Sequence, residues 1–356
     1  MDPQPGGHTA ADFPLTDPTA ARLTGPAELV VAVPALIGFR PRDSLVAVGV
    51  RSADSTVVCT LRVDLADVAG SVAARRHIAR VLANQGCDEL FLVVVGGRRS
   101  RQGPPRRRLV CALRDECATI GLPVRAAVWA AEVALGARWA CYGECGCDGA
   151  LPDPACSSVT AATVASGRVV YGDRAELERL VAPGDARASA RRASLLERRL
   201  NEAERIGKPP AAAAACAALV ERWLGEAAAG PPRLADDDVV ALCLALADPV
   251  IRDFALGFAL GPRAAAAERL WLALVTAAPD PEAAEAAVLL AHCALMRGDG
   301  ALACVALRRA QQAWPGHRLS TLFQAALDSG ANPAELRAWF LDGRHPVERL
   351  PRSGGS

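Results

Sequence analysis

Lysine is almost missing from this chain: 39 of its 40 basic residues are arginine, and the one lysine is Lys208. A phosphate-cradling P-loop ends in Gly-Lys-Ser/Thr, so no segment supplies one. The G-x-G-x-x-G turn of a dinucleotide fold, the H-E-x-x-H of a zinc protease and the G-x-S-x-G elbow of a serine hydrolase are absent too. The five histidines (His8, His77, His292, His317 and His345) are scattered, with no Ser–His–Asp order around them. Together these absences argue against an enzyme. Aromatics are scarce, with seven Phe, six Trp and two Tyr in 356 residues, so the cores must be built from Ala, Val and Leu. No uncharged stretch reaches the roughly 18 to 20 residues that span a bilayer, and no basic patch followed by an apolar run opens the chain. A soluble, cytoplasmic protein without a membrane partner is therefore expected. Its 12 cysteines are then expected as thiols, because a reducing compartment disfavours disulfides.

The net charge is +1, and a division near Ala182 leaves both halves close to neutral. A long nucleic-acid footprint needs a broadly basic domain, so nucleic acid is not an expected partner. The excess of arginine over lysine follows from a GC-rich coding sequence and carries no functional weight.

What is present is organised around Leu29–Val50, two apolar runs joined by the polar knuckle Gly38-Phe39-Arg40-Pro41-Arg42-Asp43-Ser44. Thr24-Gly25-Pro26 predicts a helix start, with Pro34 bending or ending the helix. Ser44–Val50 and Leu90–Val95 are near-continuous apolar runs of the kind that forms strands buried on both faces. Val57–Val63, Pro123–Ala130 and Arg138–Tyr142 read as further strands, with helices over Gly70–Ala83 and Arg107–Ile120 between them. This alternation predicts an α/β domain with a mixed, mostly parallel sheet and flanking helices.

From Ser157 the chain turns to Ala-rich helices, with starts at Asp173, Asp236, Asp248, Asp280-Pro281 and Asn332-Pro333. Ala186–Ile206 reads as a charged helix that can bridge the two halves, followed by a break at Lys208-Pro209-Pro210. Ala303, Ala310 and Pro315 follow the spacing of a tetratricopeptide hairpin, with Gly298-Asp299 at its turn. The expected organisation is a disordered leader over 1–23, an α/β domain over 24–182, an all-α domain over 183–345 with one tetratricopeptide-like hairpin, and a disordered tail over 346–356.

Three places can carry chemistry. Cys141, Cys145, Cys147 and Cys156 are four thiols that can hold zinc tetrahedrally, although C-x3-C-x-C-x8-C is not a standard knuckle; reduced thiols or a redox-sensitive pair are the alternatives. The loop with Arg98, Arg99, Arg101, Arg106, Arg107 and Arg108 follows a strand and precedes a helix. It therefore belongs at the sheet edge where open α/β folds bind ligands, and a small anionic or phosphate-bearing ligand suits it; a solvated loop is the plainer alternative. Arg40, Arg42, Asp43 and Ser44 of the knuckle, with Asp64, can form a polar cluster for acid–base or metal chemistry. The same residues can also serve only to satisfy a buried turn.

PALIGFRPRDSLVAVGV, the strand ending LRVDL, the stretch RWACYGECGC and the helical RGDGALACVALRRAQQAWP together resemble an actinobacterial family known as domain of unknown function 4192, from about Pro26 to Glu335. Members of that family often carry a second aromatic after the Trp and adjacent cysteines, where this chain has Ala140 and the split Cys145-Gly146-Cys147. The resemblance implies the two-part architecture and no activity. The expected function is that of a non-catalytic interaction or regulatory protein that binds another protein. A small-ligand domain or enzyme at the sheet edge, and a zinc-stabilised module, are the alternatives.

Overall fold

The structure is a computed structural model that describes residues 15–16, 22–23, 25–101, 103–165, 168–206 and 212–330. The expected break at Lys208-Pro209-Pro210, the helix start at Asn332-Pro333 and the tail from 346 lie outside the described residues. Two compact units are present: the first ends at Glu176 and takes up the chain again at Asp328, and the second begins at Leu177. The division falls within a helix, Arg174–Leu180, a few residues before Ala182. Leu177 and Val181 are buried, Glu178 pairs with Arg308 at 2.8 Å and the Gly184 amide donates to the Thr276 carbonyl at 2.9 Å, so these residues belong with the helices.

The first unit is α/β. Its strands are β1 (Leu15–Thr16), β2 (Arg22–Leu23), β3 (Ser44–Arg51), β4 (Thr56–Asp64), β5 (Glu89–Val95), β6 (Val124–Ala130), β7 (Arg138–Cys141) and β8 (Asp148–Ala150). They form one sheet in the order β2-β1-β4-β3-β5-β6-β7-β8. Its helices are α1 (Pro26–Ile37), α2 (Leu65–Ala69), α3 (Val72–Ala83), α4 (Arg107–Thr119) and α5 (Ser158–Ala165), with α6 (Arg174–Leu180) beginning here.

The α/β unit with a mixed sheet, followed by helices, is as expected; the direction of most strands is not. Only β1–β4 and β5–β6 are parallel, and the other pairings are antiparallel. An unbroken apolar run reports burial on both faces, not strand direction. Here β3 lies antiparallel to both neighbours, β4 and β5, which makes β5 an interior strand.

Alternate residues of β3 and β5 face opposite layers, as the two-residue period of a strand requires. Leu45, Ala47, Leu90, Leu92 and Val94 share a core with Leu82 of α3 and Leu113 of α4, while α1 packs against β4, β6 and α5. That second layer explains why Leu29–Ala35 of α1 are almost wholly buried.

Three local expectations are corrected. Of the two outcomes expected at Pro34, ending is excluded, since α1 runs to Ile37; Gly38 then closes it in the left-handed region (φ 83°), its amide donating to the Pro34 carbonyl. A proline near the last turn removes one donor but leaves the preceding turns intact. Within the supposed leader, β1 and β2 join the sheet and Leu23 is buried; two-residue strands held by backbone bonds leave no side-chain period to detect. The third is a pair of missed elements, α2 and β8.

The second unit is all helical: α7 (Ala186–Ile206), α8 (Ala212–Ala229), α9 (Asp236–Leu246), α10 (Pro249–Leu256), α11 (Ala264–Ala277), α12 (Ala283–Met296), α13 (Gly300–Ala313) and α14 (Arg318–Asp328). Helix α7 stays within this unit, where Arg192 pairs with Asp236 at the start of α9 at 2.7 Å. Asp248 caps α10, whereas Asp280 serves no helix and is held in a two-pronged pair by the buried Arg309. Helices α12 and α13 are joined by three residues, with Gly298 at φ 81° and Asp299 capping α13. A connection this short makes neighbours of the two helices. No helix among the described residues is long and apolar enough to cross a membrane.

Candidate functional site

Register decides what the sheet edge brings together. Ser44 opens β3 and lies opposite Asp64 on one side and Val95 on the other. The knuckle, Asp64 and the arginine loop after β5 therefore share one rim. They do not share one face: Ser44 and Val95 point towards α1, whereas Val94 and its β6 neighbour Trp129 belong to the core under α3 and α4.

On the α1 side the polar groups are locked to one another. Ser44 is fully buried; its hydroxyl donates to the Arg42 carbonyl at 2.6 Å and accepts from Arg62 Nε at 2.9 Å. Arg62 grips Asp64 with both guanidinium nitrogens at 3.1 and 2.6 Å and lies 5.8 Å from the centre of the Phe39 ring. Arg174 adds a longer contact to Asp64 at 3.7 Å.

The arginines serving Asp64 are thus Arg62 and Arg174, while Arg40 and Arg42 are exposed. Bidentate pairing is the strong form of this contact, and it leaves Asp64 employed in holding the turn. Asp43 is exposed with φ 41°, and its carbonyl accepts the Leu65 amide at 2.9 Å. The reading that these residues satisfy a turn fits this geometry better than acid–base work.

On the α4 side lies an open cleft of about 510 Å³, lined by Arg98, Arg99, Ser100, Arg101, Trp129 and Arg138 among others. Its loop is anchored at several points. Trp129 Nε1 donates to the Gly96 carbonyl at 2.8 Å, and Tyr142 Oη donates to the Pro105 carbonyl at 2.6 Å. Ser100 and Gly103 exchange backbone bonds at 3.1 Å, which sets Arg101 at a tight tip. Arg99 is paired to Asp148, which Arg138 approaches at 3.9 Å, and Arg99 holds the Asp148 carboxyl below the usual carboxylate range. Among the described residues Arg98 and Arg101 form no ion pair. The cleft thus offers guanidinium charge that no carboxylate among the described residues answers, over a floor backed by the buried Trp129, a lining suited to an anion.

None of the knuckle residues lines this cleft, so the knuckle with Asp64 and the arginine loop are two separate places on one rim. Sequence reasoning missed Trp129, Arg138, Asp148 and the lock residue Arg62. A charged residue opening the short strand RWAC was the available signal for Arg138.

Of the four cysteines, the structure gathers three. The sulfurs of Cys141, Cys145 and Cys147 all lie within 4.8 Å of one another, at the hairpin between β7 and β8. Cys156 is exposed and outside this group, because it closes a 3-10 turn over Pro154–Cys156 capped by Asp153. Burial pushes the Cys141 thiol up, with its two neighbours adding to the effect. Cys145 is held down despite desolvation, by hydrogen bonds from Cys147 and Cys141, while Cys147 is pushed up by its bond to Cys145.

His292 and His317 of the second unit serve packing. His292, inside α12, is drawn down to about 4 by burial. His317 does meet Ser320 and Glu285, but the Ser320 amide donates to Nδ1 at 3.3 Å and the Ser320 hydroxyl donates to the His317 carbonyl at 2.9 Å. The Nε2 atom faces Glu285 at 3.2 Å. The hydroxyl is turned away from the imidazole, so this buried trio caps α14 and has no nucleophile.

A family model described as "Domain of unknown function (DUF4192)" matches residues 26–334. No curated protein and no solved structure matches the chain.

One glycine tests the rim's geometry. A Cβ on Gly96 (φ 110°) would stand 2.5 Å from Asp43 Oδ1 and 3.1 Å from Asp43 Cα. Gly96→Ala is expected to cost about 1–3 kcal/mol through strain and collision. Gly70→Ala, where a Cβ meets nothing within 4 Å, should stay within roughly 0.5 kcal/mol of the parent. Urea unfolding of the two variants checks the difference.

Proposed function

The chain belongs to the DUF4192 family, and on that premise we propose that it is a non-catalytic regulatory protein whose α/β unit binds a small phosphate-bearing anion in the arginine cleft. The observation that carries this reading is the pair of uncompensated arginines, Arg98 and Arg101, in a cleft of about 510 Å³ beside Trp129. Guanidinium forks match the geometry of phosphate oxygens. The helical unit supplies the surface for a protein partner. Its α12–α13 pair keeps Ala303 and Ala310 fully buried, where a tetratricopeptide hairpin has small residues, and Trp314, just after α13, and Leu322 on α14 are exposed.

Titration of the full chain with pyrophosphate at constant ionic strength is expected to raise its melting temperature saturably, by the equivalent of about 2.7 kcal/mol at a hundredfold excess over Kd. The Arg98→Ala/Arg101→Ala double variant should lose that response while melting normally without ligand. An unchanged melting temperature in the parent chain would reject the anion reading.

A second reading rests on the three gathered thiols: a zinc ion held by Cys141, Cys145 and Cys147. Zinc–sulfur bonds of about 2.3 Å require only a modest contraction of this group, and the fourth ligand comes from outside the three. Metal analysis of protein purified without chelator is expected to show one zinc per chain, lost in Cys145→Ser. A trace well below stoichiometry would reject it.

A further inference from the structure

Two other thiols, away from both sites, meet across the central strand. Cys59 lies on β4 and Cys87 just before β5, so β3 runs between them. Any side chain on β3 at that level would hold them apart. The residue there is Gly49, paired with Cys59 on one side and Leu90 on the other.

A Cβ on Gly49 would stand 2.5 Å from Cys59 Sγ, 2.9 Å from Cys87 Sγ and 3.1 Å from Cys87 Cβ. The bare backbone thus leaves both sulfurs in one small space above the strand, where the Cys87 thiol donates to the Leu82 carbonyl at 3.1 Å. The register shift after Gly49 leaves Val58 unpaired and turns the β4 chain at that point, as a bulge does.

We propose that Cys59 and Cys87 are a peroxide-sensitive pair that closes to a disulfide over β3. Cys87 is the attacking sulfur: its own proton lies towards the Leu82 carbonyl, away from Cys59, and interaction with Cys59 holds its thiol below the ordinary value against the effect of burial. Cys59 is raised by the same interaction and by burial, and it resolves. In the first step the Cys87 thiolate attacks one oxygen of a hydroperoxide. An S–O bond forms, the O–O bond breaks, and the departing oxide takes up a proton to leave as water or an alcohol. In the second, Cys59 Sγ attacks the sulfenic sulfur of Cys87. The S–S bond forms, the S–O bond breaks, and the released hydroxide leaves as water with the Cys59 proton. The two thiols lose two electrons, and the peroxide bond gains them. Cys59 is half-buried, which gives a small oxidant a way in. Cys117, buried on α4 near Cys87, is the competing partner.

The test uses the reduced full-length chain, exposed to hydrogen peroxide in small molar excess, alkylated without denaturant and mapped by non-reducing peptide mass spectrometry. The expected product is a peptide pair joining Cys59 to Cys87, lighter by two hydrogens and abolished by reductant. In Cys59→Ser the crosslink disappears and Cys87 accumulates as a sulfenic acid trapped by dimedone. Mapping of the parent chain decides the matter even if that variant folds poorly. Cys59 and Cys87 both remaining thiols at a dose that oxidises Cys145 and Cys147, or Cys87 linked to Cys117 instead, would overturn the proposal.

Discussion

The pairing of β3 on both its edges is the constraint from which the rest of the α/β unit follows. Leu45, Val46, Ala47, Val48 and Val50 are each no more than 2 % exposed, and full burial of one such aliphatic side chain contributes about 1.5–3 kcal/mol. A shift of one residue would exchange the residues facing α3 and α4 with those facing α1. The register is therefore strongly specified, and with it the position of Ser44 at the rim and of Gly49 between two cysteines.

That register also explains why the rim has two characters. Towards α1 Ser44 is fully buried and Arg62 largely so, and such groups must find partners; Ser44 takes Arg62, and Arg62 takes the more open Asp64. Towards α4 the chain leaves the sheet through Gly96 and Gly97, both at positive φ, and its arginines reach solvent. Guanidiniums there need no partner for stability, and Arg98 and Arg101 remain open to one from outside. Asp148 joins this loop to the thiol hairpin, since it binds Arg99 and directly follows Cys147.

Much of this was legible in the sequence. The apolar runs of β3 and β5 announced strands covered on both faces, and the change of composition after Ser157 announced a helical body. Strand direction was not legible, because hydrophobicity encodes burial and the insertion of β3 beside β5 is a matter of long-range pairing. The arginine loop was found by charge. The buried Trp129 behind it was not, because it lies on a separate strand whose neighbour is known only from the sheet order. For the same reason Asp64 was matched with nearby Arg40 and Arg42, when the arginine two residues before it in β4, Arg62, lies on its own face. The cysteine cluster was seen as four from proximity in the chain, yet the 3-10 turn at Pro154 directs Cys156 elsewhere.

Native-state amide hydrogen exchange tests the central role of β3 most directly, because protection reports the free energy of the opening that exposes each amide. The account predicts that the amides of Leu45–Gly49, bonded into both neighbouring strands, exchange at the slowest rates in the α/β unit, together with those of Leu92–Val94 and well behind β7 and β8. Amides of β3 exchanging as fast as those of β7 and β8 would contradict it.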